Sequence, residues 1–148
     1  MDLNHYRFHS RWELPAAPDA VYRVLEDVSG YPRWWRQVRG VRRVSETEGV
    51  LRFRSLLPYD LNVTARLRRQ DPAARLLEAA LDGDLLGTLV WRVDALAGGA
   101  RVDFDQAVVV TPRLMRLLAV PGRPLFRANH ALMMRSGRAG LARLLGEG

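Results

Sequence analysis

The stretch Trp12-Glu-Leu-Pro-Ala-Ala-Pro18-Asp-Ala-Val21-Tyr-Arg-Val24-Leu25-Glu-Asp27-Val28-Ser-Gly30-Tyr31-Pro32-Arg-Trp34-Trp35 decides the fold. It closes a strand that begins near His5. Tyr6, Phe8, Ser10, Trp12 and Leu14 fall on one face of that strand, and His5, Arg7, His9, Arg11 and Glu13 on the other. Pro18 and Asp19 suit a first helical turn. Val21, Val24, Leu25 and Val28 then form one apolar stripe at helical spacing. Gly30 stops that helix and Pro32 opens a second one, with Trp34, Trp35 and Val38 as near neighbours. The Trp pair predicts one core plug and one exposed ring at the open end of a sheet.

Downstream, from Val41 to Val110, the period is two. Leu51, Phe53, Ser55 and Leu57 alternate with arginines. After Pro58, Tyr59, Leu61, Val63, Ala65 and Leu67 alternate with polar residues. Asp71-Pro72, Gly83 and Gly98-Gly99 mark turns between further alternating runs, which place Leu77, Ala79, Leu81, Leu89, Trp91, Val93, Val102, Phe104, Gln106, Val108 and Val110 on the same apolar face. Short turns between such runs predict consecutive antiparallel hairpins. Arg92, Asp94, Arg101, Asp103 and Asp105 read as cross-strand charge pairs on the opposite face. A sheet with one apolar face needs helical cover on that side. Thr111-Pro112 opens a helical stretch through Leu118, and a long helix follows from Leu125 to about Leu145, starting near Pro124. Its inward stripe is Phe126, Asn129/His130, Met133, Gly137, Gly140/Leu141 and Leu144. Gly137 and Gly140 cost a helix about 1 kcal/mol each against Ala. Either they let the helix press on its neighbours or they leave room for a ligand.

Composition narrows the chemistry. A chain of 148 residues is one domain, 1–148, by the usual size prior, and can bury a full core. Without cysteine there is no disulfide, thiolate nucleophile or cysteine metal site. All 23 basic residues are Arg, and the net charge is +7. Absence of Lys excludes a P-loop lysine, a Schiff-base lysine and a lysine general base. Isoleucine is absent too. Loss of both types has the stamp of GC-rich codon usage, so the Arg excess is weak evidence for nucleic acid as a partner. No signal peptide and no membrane span is readable, which makes a cytoplasmic location the expectation. No metal and no cofactor are expected. His5 and His9 share a strand face but stand about 13 Å apart at ~3.3 Å per residue. His130 has no ligand partner at helical spacing. Neither a Gly-x-Ser-x-Gly elbow nor a Gly-x-Gly-x-x-Gly loop occurs.

The order strand, two short helices, six-strand meander and long C-terminal helix, with its Trp-rich second helix and the Gly-Gly turn before Arg101-Val102, resembles the START-like helix-grip (Bet v 1-like) superfamily, in particular its polyketide cyclase/dehydrase branch. The resemblance covers the whole chain. It implies an α+β fold in which a seven-stranded antiparallel sheet curls around the C-terminal helix, with two short helices after the first strand. It also implies a cavity between sheet and helix that holds a small hydrophobic, lipid- or polyketide-like molecule. The residues placed to line it are Trp12, Trp34, Trp35, Phe53, Tyr59, Leu61, Val63, Leu89, Trp91, Phe104, Gln106, Phe126, Asn129, His130 and Met133.

The first alternative within the resemblance is an aromatase/cyclase or dehydratase. His130, Tyr59 and Gln106 are then the catalytic candidates, with His130 as acid/base. The second is a protein like the coenzyme Q-binding and ribosome-association toxin branch, which shares a Tyr-Pro near the second helix. Arg33, Arg36, Arg39, Arg42 and Arg43 would there face RNA. A monomer or homodimer is expected. If codon usage explains the Arg excess, RNA affinity measured by filter binding will be weak, indifferent to sequence and steeply lost as salt rises. Tight, sequence-selective binding at physiological salt would favour the ribosome-type alternative instead.

Overall fold

A computed structural model describes residues 5–54, 60–111 and 123–147. The elements, in chain order, are β1 (His5–Leu14), α1 (Pro18–Glu26), a 3-10 turn (Val28–Gly30), α2 (Tyr31–Trp34), β2 (Val38–Arg43), β3 (Glu48–Phe53), β4 (Leu61–Asp71), β5 (Leu76–Gly83), β6 (Leu85–Leu96), β7 (Gly99–Val110) and α3 (Arg123–Glu147). The expected helix over 112–118 lies outside the described residues.

All seven strands form one antiparallel sheet in the order β1-β7-β6-β5-β4-β3-β2. Hairpins join β2 through β7, so their neighbours follow from short turns. Gly98, at φ +82°, makes the last of these turns, a left-handed conformation natural only to glycine. β1 pairs with β7 along its whole length, from His5 opposite Val109 to Leu14 opposite Ala100. This pairing makes β1 one edge of the sheet and β2 the other. The connection between them must therefore cross the concave side, and α1, the 3-10 turn and α2 are that connection.

Among the described residues, register keeps the predicted inward strand positions on one face. Trp12 stands opposite Val102, Phe104 opposite Trp91, Trp91 opposite Leu77, and Leu89 opposite both Gln106 and Ala79. A slip of one residue would turn the whole set outward, so burial fixes the pairing. Charged partners face out: Arg11 Nε donates to Asp103 at 2.9 Å, and His9 lies 2.7 Å from Asp105.

α1 forms because Pro18 presets the first turn, Asp19 sits at its positive end, and Val21 and Leu25 give it a stripe that is fully buried. Val28 continues that stripe in the 3-10 turn rather than in the helix. The Trp pair departs from expectation. Trp34 and Trp35 are both buried, because α2 is sandwiched between the sheet and α3 instead of standing at an open end. Trp34 and Trp35 stack at 5.3 Å, and Trp35 meets Trp12 and Trp91 nearly edge-on. Its indole Nε1 donates to the Met133 carbonyl in the middle of α3 at 2.8 Å.

Gly137 and Gly140 of α3 are explained by the contact with Trp34 and Trp35. A Cβ on Gly137 would stand 2.8 Å from the Trp35 ring, and one on Gly140 would overlap the Trp34 carbonyl oxygen. Close packing, not ligand space, is their role. Gly140→Ala should therefore lower unfolding free energy by at least about 2 kcal/mol, the cost of overpacking against an immobile backbone, despite Ala's better helix propensity. Gly146→Ala, where the space around the Cβ is open, should be neutral or slightly stabilising. Urea titration of the two variants checks the contrast; equal effects would refute the packing account.

Candidate functional site

Beyond the Trp contact, α3 and the sheet do not touch everywhere. An apolar chamber of about 100 Å3 lies between them. Phe53, Leu51, Leu61, Val63, Ala65 and Leu81 of β3–β5 form its floor, with Leu85, Leu89, Trp91, Phe104 and Gln106 from β6 and β7. Phe126, Asn129, His130, Met133 and Met134 of α3 form its roof, and Tyr31 and Trp35 its inner end.

Of the residues expected at a ligand site, Trp35, Phe53, Leu61, Val63, Leu89, Trp91, Phe104, Gln106, Phe126, Asn129, His130 and Met133 come together around this chamber. Trp12 and Trp34 do not reach it. Trp12 is buried behind Trp35 and Trp91, and Trp34 packs between Tyr31 and α3. Tyr59 lies outside the described residues. The structure adds Tyr31, Leu51, Ala65, Leu81, Leu85 and Met134. Leu51, Ala65 and Leu81 were readable as inward positions, and Met134 was not. At helical spacing Met133 and Met134 compete for the same stripe, and it is Met134 that is buried in the core while Met133 is half-buried.

The polar groups gather on the α3 side. His130 stacks on Phe8 with ring centroids 3.6 Å apart, and its Nε2 lies 3.0 Å from Gln106 Oε1. An amide oxygen can only accept, so with the Gln106 amide in this orientation the imidazole donates from Nε2. Burial, and next the charge of Arg127, push the His130 pKa down from 6.5 to about 4. Arg127 itself lies over the Tyr6 and Phe8 rings, at 5.5 and 5.9 Å from their centroids. Asn129 is buried, with its amide 3.6 Å from the Met133 sulfur. Tyr31 donates its hydroxyl to the Leu25 carbonyl, and burial holds its pKa above the usual phenol range, so it too stays neutral.

A second chamber, about 220 Å3, lies on the other side of Ala65. Tyr31, Leu51, Ala65, Leu89 and Trp91 wall both. Its remaining apolar wall is Leu25, Val28, Val41, Leu67, Leu77 and Ala79, and its rim includes Glu26, Ser29, Arg43, Ser45, Thr47 and Gln70. The Glu26 carboxylate accepts from Gln70 at 2.9 Å, bridging α1 to β4 at this rim. Among the described residues no three His, Asp or Glu side chains converge as a metal ion would require.

An uncharged imidazole of low pKa has a thermodynamic signature. As pH falls, the unfolded chain takes up the His130 proton first, near 6.5, and the folded chain only near 4. The neutral form's contribution is thus complete above pH 6.5 and is lost on acidification toward pH 4. Between pH 7 and pH 5 the parent should lose roughly 2 kcal/mol more stability than His130→Gln, measured by urea unfolding at both pH values. Equal losses would contradict a buried neutral His130.

No curated protein sequence matches the chain. Solved structures resemble it at low identity. A conserved protein from Geobacillus kaustophilus has a TM-score of 0.81 at 9% identity, with 96% of each chain covered. A START superfamily protein from Mycobacterium smegmatis reaches 0.73 at 16%, covering 95% of this chain and 97% of that one. The Zhui aromatase/cyclase from Streptomyces sp. R1128 reaches 0.69 at 17%, covering 97% and 93%. Residues 5–146 match the family described as polyketide cyclase/dehydrase and lipid transport, and the chain, with its helix-grip fold, belongs to that START-like family.

Proposed function

We propose that the protein binds a small hydrophobic molecule, lipid- or polyketide-like, in the chamber between the sheet and α3, as a single ligand-binding domain spanning residues 1–148. Family and fold neighbours support a role in hydrophobic ligand binding or in cyclase/dehydrase-like chemistry. The observation that favours binding is the lining itself: apolar walls from five strands and α3, with Gln106, Asn129 and His130 as the polar groups of the chamber. Such a wall removes apolar ligand surface from water at ~25 cal/mol per Å2, while a few fixed polar groups orient the ligand. No described helix is long and apolar enough to cross a membrane.

Titration with an environment-sensitive apolar dye tests this. Val63→Phe, which fills the chamber from its floor, should weaken dye binding at least ~10-fold, the worth of about 1.4 kcal/mol. His130→Ala should weaken it only ~5-fold, near the ~1 kcal/mol of one hydrogen bond. Binding unaltered by Val63→Phe would remove the chamber from consideration. A His130→Ala variant that keeps binding but loses roughly 10²–10⁴ in turnover of a polyketide-like substrate would establish the enzyme instead.

A further inference from the structure

The two chambers are each too small for the function proposed above. Small-molecule sites usually measure ~300–1,000 Å3, whereas the inner chamber has about 100 Å3 and the outer one about 220 Å3. Only joined do they reach that range. They meet at Ala65, whose neighbours across the sheet are Gly49 on β3 and Leu81 on β5. Of the five residues that wall both chambers, Tyr31, Leu51, Ala65, Leu89 and Trp91, Ala65 has the smallest side chain. The ends also differ in character. The outer rim carries Glu26, Gln70, Ser29 and Arg43, while the inner chamber is walled mainly by aliphatic and aromatic side chains, with Gln106, Asn129 and His130 as its polar groups.

Resting on the binding reading, we infer that the two chambers form one site for a single elongated amphiphile. Its apolar body threads past Ala65 into the inner chamber, and its polar head lies at the rim between α1 and the β2–β3 hairpin. Ala65 is then the residue that sets ligand length. A compact, multi-ring molecule confined to the space under α3 is the wrong shape for such a site.

Displacement of the apolar dye by straight-chain alcohols separates the possibilities. In the parent, tetradecanol should displace dye at least ~10-fold more effectively than octanol, a modest share of the ~4-fold per methylene expected from complete burial. Ala65→Phe, which plugs the passage, should reduce that ratio to ~3-fold or less. Ala65→Leu should shift it in the same direction and serves if the larger variant fails to fold, as judged by thermal melting. For orientation, tetradecanol brominated at its terminal carbon should quench tryptophan fluorescence more than the isomer brominated beside the hydroxyl, because Trp35 walls the inner chamber alone whereas Trp91 walls both. An unchanged chain-length ratio in both Ala65 variants, or the reverse order of quenching, overturns the inference while leaving the binding function standing. If neither alcohol displaces dye from the parent, the binding function falls and the inference with it.

Discussion

Everything about the cavity depends on how α3 is held above the sheet, and one side chain does most of that. Trp35 is clamped between Trp34 on one face and the edges of Trp12 and Trp91, donates its indole N–H to Met133, and abuts the bare backbone of Gly137. An aromatic ring whose polar handle is satisfied is a stiff spacer. The bond to Met133 fixes where along α3 the contact falls, and the missing side chains at Gly137 and Gly140 fix how near it comes. The C-terminal half of α3 therefore packs tightly, with Leu141 completely buried. Its N-terminal half, from Phe126 to Met134, spans the chamber.

The space survives because side-chain volume is distributed unevenly over the concave face. Where β1, β7 and β6 meet, Trp12, Phe104 and Trp91 fill the bowl, Trp91 and Phe104 being 4.5 Å apart. Across β3, β4 and β5 the inward positions include Gly49, Ala65 and Ala79, paired in register with Ala65, Leu81 and Leu89 respectively. Protein interiors are ordinarily close-packed, with few voids larger than a water molecule. Ala65 lines the chamber beneath α3, and Gly49 and Ala79 join it in walling the second chamber, so small side chains at these positions are a sequence-level cause for the gaps. Leu at Ala65 or Ala79 would be the ordinary choice for a core of this size.

Much of this was legible in the residues, and the limits have physical causes. Period-two alternation with Gly and Pro punctuation is a local signal, so β1 and the β4–β7 run follow from it directly. The edge position of β2 and the crossing of α1 and α2 over the concave side follow only once β1 is known to pair with β7, a contact between residues about a hundred positions apart. Trp34 and Trp35 fall where the short helices meet the end of the sheet, which is why one of them reads from the sequence as exposed. That inference fails when a helix has neighbours on two sides, as α2 does. Gly137 and Gly140 announce a flat helix face, but a flat face suits a close neighbour and an empty space equally. Only the position of Trp35 decides. His130 was visible as an inward polar residue, whereas its low pKa arises from burial and from Arg127 one turn before it.

That low pKa bears on which chemistry the chamber can support. A dehydrating cyclase needs a group that gives a proton to a departing hydroxyl, and a group of pKa about 4 is protonated in only about one molecule per thousand at pH 7. As a base it is equally poorly matched, since proton abstraction is served best by a pKa near the working pH. Its surroundings reinforce the point: Phe8 covers one ring face at stacking distance and Gln106 occupies Nε2. These contacts hold the imidazole in place while burial and Arg127 keep it neutral, which suits a group that orients a ligand by hydrogen bonding. A ligand that brought a carboxylate or phenolate against His130 would raise its pKa by favouring the charged form, and only such a ligand would make it an acid. Whether His130 can serve as an acid thus rests on the charge of what enters beside it.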